Sequence, residues 1–220
     1  MPWLADLDVG AVHGFARAIS DARTVTELRG RALQELAGLV PADVLTWDRV
    51  DLATGAVCHE AVPSAAEPPG AFETIVGDAV GHPLLLAHAV RRRPALRLSE
   101  AVEPRRLSHS ELYGDLLHRS GVEYGIAIGV RAGGREVVVA GLGRTEREFS
   151  DRDRDVLDLA RPVLEAALQD AGARERLVPA LATNPPPGAA GTRRACPRRR
   201  TDVGPGRARH RRRRPPGVPG

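Results

Sequence analysis

Seven histidines are the first candidates for chemistry: His13, His59, His82, His88, His109, His118 and His210. An imidazole can ligate a metal or move a proton near neutral pH. His82 and His88 stand six residues apart on an expected helix, and no Cys or carboxylate completes a ligand set at zinc-site spacing. Capping and surface roles are therefore expected, and no metal. Cys58 and Cys196 are the only cysteines, too few for a disulfide framework or a paired-thiol zinc site. Ser, His and Asp all occur, but no Gly-x-Ser-x-Gly elbow presents a nucleophile. Gly141-Leu142-Gly143-Arg144 lacks the Gly-Lys pair of a phosphate loop and closes a strand instead of opening a helix. No catalytic residue and no cofactor are expected, and an enzyme is the disfavoured class.

Ligand binding is the more promising chemistry. Aromatic residues make up only 3% of the chain, so those on core elements stand out as pocket candidates. Trp47, His59, Tyr113 and Tyr124 lie on or beside elements that would line a cavity between a sheet and helices, and each also reads as a core or rim residue.

The elements that must position these residues follow from periodicity. Residues 6–20 and 24–39 read as helices, the second with Leu28, Ala32, Leu33 and Leu36 at helical spacing and Thr24 with Glu27 as a capping box. Val44, Leu45, Trp47 and Val50, then a Thr54-Gly55 turn and residues 56–62, predict a β-hairpin. Helices are expected over 71–80 and 83–92, the latter opening on Pro83. A short apolar piece from Ala95 to Leu98 precedes another helix start at Ser99, and a helix over 108–119 is expected to end at Gly121. Strands at 122–130 and 136–142 form a second hairpin across Ala132-Gly133-Gly134. Val137-Val138-Val139-Ala140 is apolar on both faces, as a central strand requires. Ser150 caps a long closing helix whose first turns carry Asp151, Asp153 and Asp155. This order predicts an α+β fold, an antiparallel sheet with helices outside it.

Ordered motifs run through the same span: His82-Pro83-Leu84, Leu112-Tyr113, Gly121-Val122-Glu123, and a closing set of Phe149, Ser150, Asp153, Arg154, Leu157, Leu159, Arg161 and Pro162. In this order and spacing they resemble the GAF-like N-terminal sensory domain of actinobacterial LuxR-type helix-turn-helix transcriptional regulators. The likeness covers residues 1–182 and is strongest over 82–168. It implies a GAF/PAS-like sensor at 1–170, a linker at 171–190, and a helix-turn-helix beyond. It also implies a small-molecule or protein signal and names no particular effector. The more polar stretch after Leu168 suits a linker or a homodimer contact, though the seam is too short to specify a coiled coil.

Residues 191–220 do not fit that expectation. They contain 21 Arg, Gly or Pro and only two large aliphatics, Val203 and Val218, so a disordered tail is expected where a helix-turn-helix should stand. The tail holds 11 arginines and one acid, whereas residues 1–190 hold 21 arginines against 27 acids, so the body is acidic and the tail alone makes the chain basic. Every basic residue is Arg and none is Lys, which points to a GC-rich gene. Reading such codons one nucleotide later admits a helix-turn-helix-like string, so a frameshift near Gly191 is expected to have replaced the DNA-binding domain. Specific DNA binding, the property of an intact family member, is accordingly doubtful for this chain. A basic tail without aromatics would bind nucleic acid only nonspecifically. The runner-up reading is a stand-alone small-molecule or protein-binding module. No signal peptide or membrane span is visible, so a cytoplasmic location without membrane contact is expected.

Overall fold

The structure, a computed structural model, describes residues 6–63, 83–91, 94–103 and 120–181. The expected helices at 71–80 and 108–119, Tyr113 and the tail at 191–220 lie outside the described residues. The chain divides into two units, 1–183 and 184–220, and all the described residues belong to the first.

Helices α1 (Asp6–Ser20) and α2 (Val25–Leu39) fall where the apolar spacing places them. Thr24 caps α2, its hydroxyl accepting from the Glu27 N–H at 3.1 Å. The reciprocal arm of the expected box differs, because the Glu27 carboxylate accepts from the Arg23 N–H at 2.9 Å and not from Thr24. One residue of extra reach still satisfies an exposed donor before the helix.

The first hairpin is β1 (Val44–Asp51) with β2 (Val57–Val62). Helix α3 (Pro83–Arg91) follows, then a two-residue strand β3 (Leu96–Arg97) and the single-turn helix α4 (Leu98–Ala101). The sequence places the start of this last helix at Ser99. Arg97 takes the N-cap position instead, and the Ser99 hydroxyl donates to Glu148 at 2.7 Å. The second hairpin is β4 (Tyr124–Gly133) with β5 (Glu136–Arg144), and the closing helix α5 runs from Asp151 to Leu181 without a break.

The five strands form one antiparallel sheet in the order β2-β1-β5-β4-β3. β5 lies at the centre, which explains its four-residue apolar run: Val138 and Ala140 face one side, Val137 and Val139 the other. On the first face, α1, α2 and α5 pack Phe15, Ile19, Leu36, Leu157, Leu164 and Leu168 against Ile126, Ile128 and Val138. On the second face, α3 and α4 set Leu84, Leu85 and Leu98 over Ala127, Val137 and Val139. The architecture is α+β, as its order of elements requires.

Candidate ligand-binding face

The two sheet faces differ in chemistry, and period-two alternation decides which residue goes where. On β1, Leu45 and Trp47 enter the first-face core, so Thr46, Asp48 and Val50 take the second face. The register pairs Asp48 with His59 on β2 and with Val139 on β5, and Val139 in turn with Gly129 on β4. One row of the second face therefore reads His59, Asp48, Val139, Gly129, spanning roughly 14 Å at the usual strand spacing.

Polar groups sit at both ends of that row. The side chains of Asp48 and His59 are buried, with His59 Nδ1 at 2.5 Å from Asp48 Oδ1. The second carboxylate oxygen accepts from the Thr46 hydroxyl at 3.2 Å. An ionised carboxylate only accepts, so Nδ1 of His59 carries the proton in this contact. At the other end His88 of α3 is also buried and lies directly over Gly129. A Cβ on Gly129 would come within 2.5 Å of His88 Cβ, and one on Gly141 within 2.5 Å of Thr46 Oγ1. Both glycines thus allow close approach to the sheet by groups that carry hydrogen-bonding chemistry.

Of the four aromatic and histidine candidates, the three among the described residues do not converge. Trp47 lies in the first-face core, where its Nε1 is buried and has no hydrogen-bond partner among the described residues. Tyr124 packs against that same core. His59 lies on the opposite face, and Tyr113 is outside the described residues. The sheet separates Trp47 and Tyr124 from His59. Thr46 and Asp48 escaped the sequence reading, although two signals were present, and His88, expected in a surface or capping role, is buried instead. The polar residues of β1 alternate out of phase with Leu45 and Trp47, and the Thr54-Gly55 turn brings His59 beside Asp48.

The closing motif carries structural work of its own. Ser150 and Asp153 cap each other: the Ser150 N–H donates to Asp153 Oδ2 at 2.9 Å, and the Asp153 N–H to Ser150 Oγ at 3.2 Å. Asp153 also accepts from the buried Arg144 at 3.1 Å. Arg144 donates in addition to the Pro41 carbonyl at 2.7 Å and lies 4.1 Å above the Phe149 ring. Burial by itself would raise the Asp153 carboxyl, but the hydrogen bonds from Ser150 and the Arg144 charge hold it below its ordinary value. The Phe149, Ser150 and Asp153 signature therefore fastens the last strand to the closing helix.

A separate concavity of about 720 Å³ opens where the α1–α2 turn meets α5, lined by Ser20, Asp21, Arg23, Glu27, Arg31 and Arg174. Arg31 pairs with Glu27 and donates to the Ala18 carbonyl, and Arg174 donates to the Ala22 carbonyl, so these cations are engaged by the protein itself. Among the described residues, no group of three or more His, Cys, Asp or Glu converges as a metal site. No helix among them is long and apolar enough to cross a membrane.

No protein-family model matches the sequence, and no curated protein matches it. Solved structures do match the fold. The LBD domain of VqsR from Pseudomonas aeruginosa aligns with a TM-score of 0.57 at 15% identity, covering 76% of this chain and 97% of that one. CepR2 from Burkholderia cenocepacia, an N-acylhomoserine lactone dependent LuxR family transcription factor, aligns at 0.50 and 18% identity, covering 81% and 99%. SdiA of Escherichia coli aligns at 0.55 and 13% identity, covering 81% and 72%. At these identities the likeness is one of fold: the chain shares the architecture of these three structures.

Proposed function

We propose that this chain is the signal-sensing module of a LuxR-type transcriptional regulator, and that the second sheet face receives a small-molecule signal. The observation that carries the reading is the row ending in the Asp48–His59 pair and in His88, with an apolar floor at Val139. A row of roughly 14 Å with polar ends and an apolar middle suits an amphiphile. The fold neighbours support the same class, since CepR2 is named for dependence on N-acylhomoserine lactone and SdiA has been solved with octanoyl-rac-glycerol. Binding without catalysis, in the cytoplasm, completes the reading.

The same proposal extends to its finer parts: a GC-rich actinobacterial source, a sensor at 1–170, a linker at 171–190, and a tail at 191–220 translated out of frame in place of a helix-turn-helix. The tail's composition supports this, with 21 of its residues Arg, Gly or Pro. Such a chain lacks sequence-specific DNA binding. The nucleotide sequence around codon 191 tests it, and an undisturbed frame with no helix-turn-helix in the alternative frame removes this part.

Binding is tested on the full chain by calorimetry and thermal melting against N-acylhomoserine lactones of short, medium and long acyl chain and against octanoyl-glycerol. Saturable stabilisation by one of them is expected, with affinity about tenfold weaker in Asp48→Asn, the loss of one hydrogen bond to a charged group. A folded protein that shows no saturable response to any of these probes contradicts this ligand class.

A further inference from the structure

We infer that residues 94–103, a strap made of β3 and α4, couple the second sheet face to the first turns of α5 through a bridge centred on Arg97 and Glu100. Successive residues of the strap touch three different bodies. Ala95 is buried in the first-face core, while Leu96 and Leu98 pack with the second-face cluster. Arg97 and Glu100 turn to α5. Arg97 Nη2 donates to Asp151 Oδ1 at 2.6 Å, and Arg154 Nη1 donates to Glu100 Oε1 at 3.1 Å. Arg97 and Glu100 also hold each other, Arg97 Nη1 lying 3.5 Å from Glu100 Oε1 and the Arg97 N–H donating to Glu100 Oε2 at 3.1 Å, and Arg154 lies 3.5 Å from Asp151. The four side chains thus form a closed ring of alternating charge between strap and helix. Two more bonds flank it: the Ala95 N–H donates to Asp158 Oδ1 at 2.6 Å and the Ser99 hydroxyl to Glu148 Oε2 at 2.7 Å.

Together these contacts fall on residues 148–158, the approach and first two turns of α5. The strap's own anchorage is slight by comparison. It pairs with β4 only at Leu96 and Arg97, and α4 is a single turn. Leu98 lies against the sheet so closely that a Cβ on Gly125 would meet its Cβ at 3.5 Å. Whatever shifts Leu98 on the second face therefore moves a segment with few bonds of its own and four polar tethers to α5 and its approach. The network of charge-assisted hydrogen bonds is the stiffer partner and carries the displacement to the helix.

The biological meaning rests on the second face being the sensing face; the coupling is a property of the chain by itself and is tested without ligand. Hydrogen exchange by mass spectrometry is followed on the full chain in peptides covering 94–103, 151–158 and, as an internal reference, 25–39. Leu98→Ala loosens the second-face grip, Leu98→Val does so more mildly, and Arg97→Gln with Glu100→Gln cuts the ring. Leu98→Ala is expected to speed exchange at 151–158 roughly tenfold and Leu98→Val by less, with 25–39 unchanged. In the cut background the same Leu98 substitutions are expected to act on 94–103 but to lose more than half of their effect at 151–158. Unchanged exchange at 151–158, an undiminished effect in the cut background, or an equal rise at 25–39 in both Leu98 variants overturns the inference. Ligand titrations play no part in these outcomes, so failure of the sensing proposal and failure of the coupling are distinguishable.

Discussion

At the level of single residues, the buried pairs decide most. Asp48 and His59 satisfy each other out of water, and Asp48→Ala would leave His59 and Thr46 facing a vacated partner. A loss of about 3 kcal/mol is expected in denaturant unfolding, the usual penalty for breaking a buried pair from one side. Two carboxylates of α5, Asp153 and Asp158, shift in opposite directions. Burial pushes Asp158 up, only partly offset by the Ala95 N–H, whereas Ser150 and Arg144 overcome burial and hold Asp153 down. A depressed carboxyl contributes stability that is present above its unfolded value, near 3.8, and lost as pH falls through the lower folded value. A raised one subtracts stability at neutral pH and ceases to do so as pH falls through its raised value. Thermal melting should therefore find Asp153→Asn destabilised at neutral pH with a deficit that shrinks in acid. Asp158→Asn should be stabilised at neutral pH, since its amide oxygen can still accept from Ala95, with a gain that also shrinks in acid. Matching signs for the two variants at neutral pH would contradict this assignment.

At the level of elements, the second face is held by backbone economy. His88 sits on Gly129 because no Cβ intervenes, and an added methyl would meet His88 Cβ at 2.5 Å. Both atoms are close to their backbones, so neither can swing aside as the end of a long side chain would. Gly129→Ala is expected to cost about 1–3 kcal/mol in unfolding free energy, with α3 displaced and β5 intact. A variant as stable as the parent would show that α3 gives way freely. Elements with a strong period were legible before any coordinates: α1, α2, both hairpins and the Ser150 cap of α5 stand where apolar spacing and turn residues put them. The helix expected at Ser99 starts one residue earlier, because Glu100 caps the Arg97 N–H and the Ser99 hydroxyl is engaged elsewhere. Ser99 serves Glu148, and Arg97 takes the cap position while reaching for Asp151.

At the level of the whole molecule, the two faces of one sheet differ, the larger apolar cluster lying on the first and the proposed binding row on the second. The first face holds the larger apolar cluster, and Leu164→Ala within it should cost about 2–5 kcal/mol of global stability. If unfolding of that variant is unchanged, the first face is not the principal core. The division also explains why the site was only half legible. Aromatic content singles out Trp47 and Tyr124, but their size is used to fill the first face. The second face carries Thr46, Asp48, His59 and His88, residue types that each look ordinary in one dimension. They become a set only when strand pairing aligns β2, β1, β5 and β4 and α3 places His88 over Gly129. Pairing between β1 and β5 joins residues about ninety positions apart, and local periodicity carries no record of that distance.

Helix α5 is pinned to the N-terminal helices near both ends. Asp8 of α1 holds Arg152 at 3.3 Å through Nε, while the Ala22 carbonyl accepts from Arg174 and the Val25 N–H donates to Glu175, each at 2.8 Å. A rod tethered at two separated points, to α1 at one and to the α1–α2 turn and the start of α2 at the other, cannot slide along its axis without breaking both sets at once. Fraying of its first turns stretches one set and spares the other. Any motion of α5 as one rigid body therefore strains both sets, and local loosening of its first turns strains one.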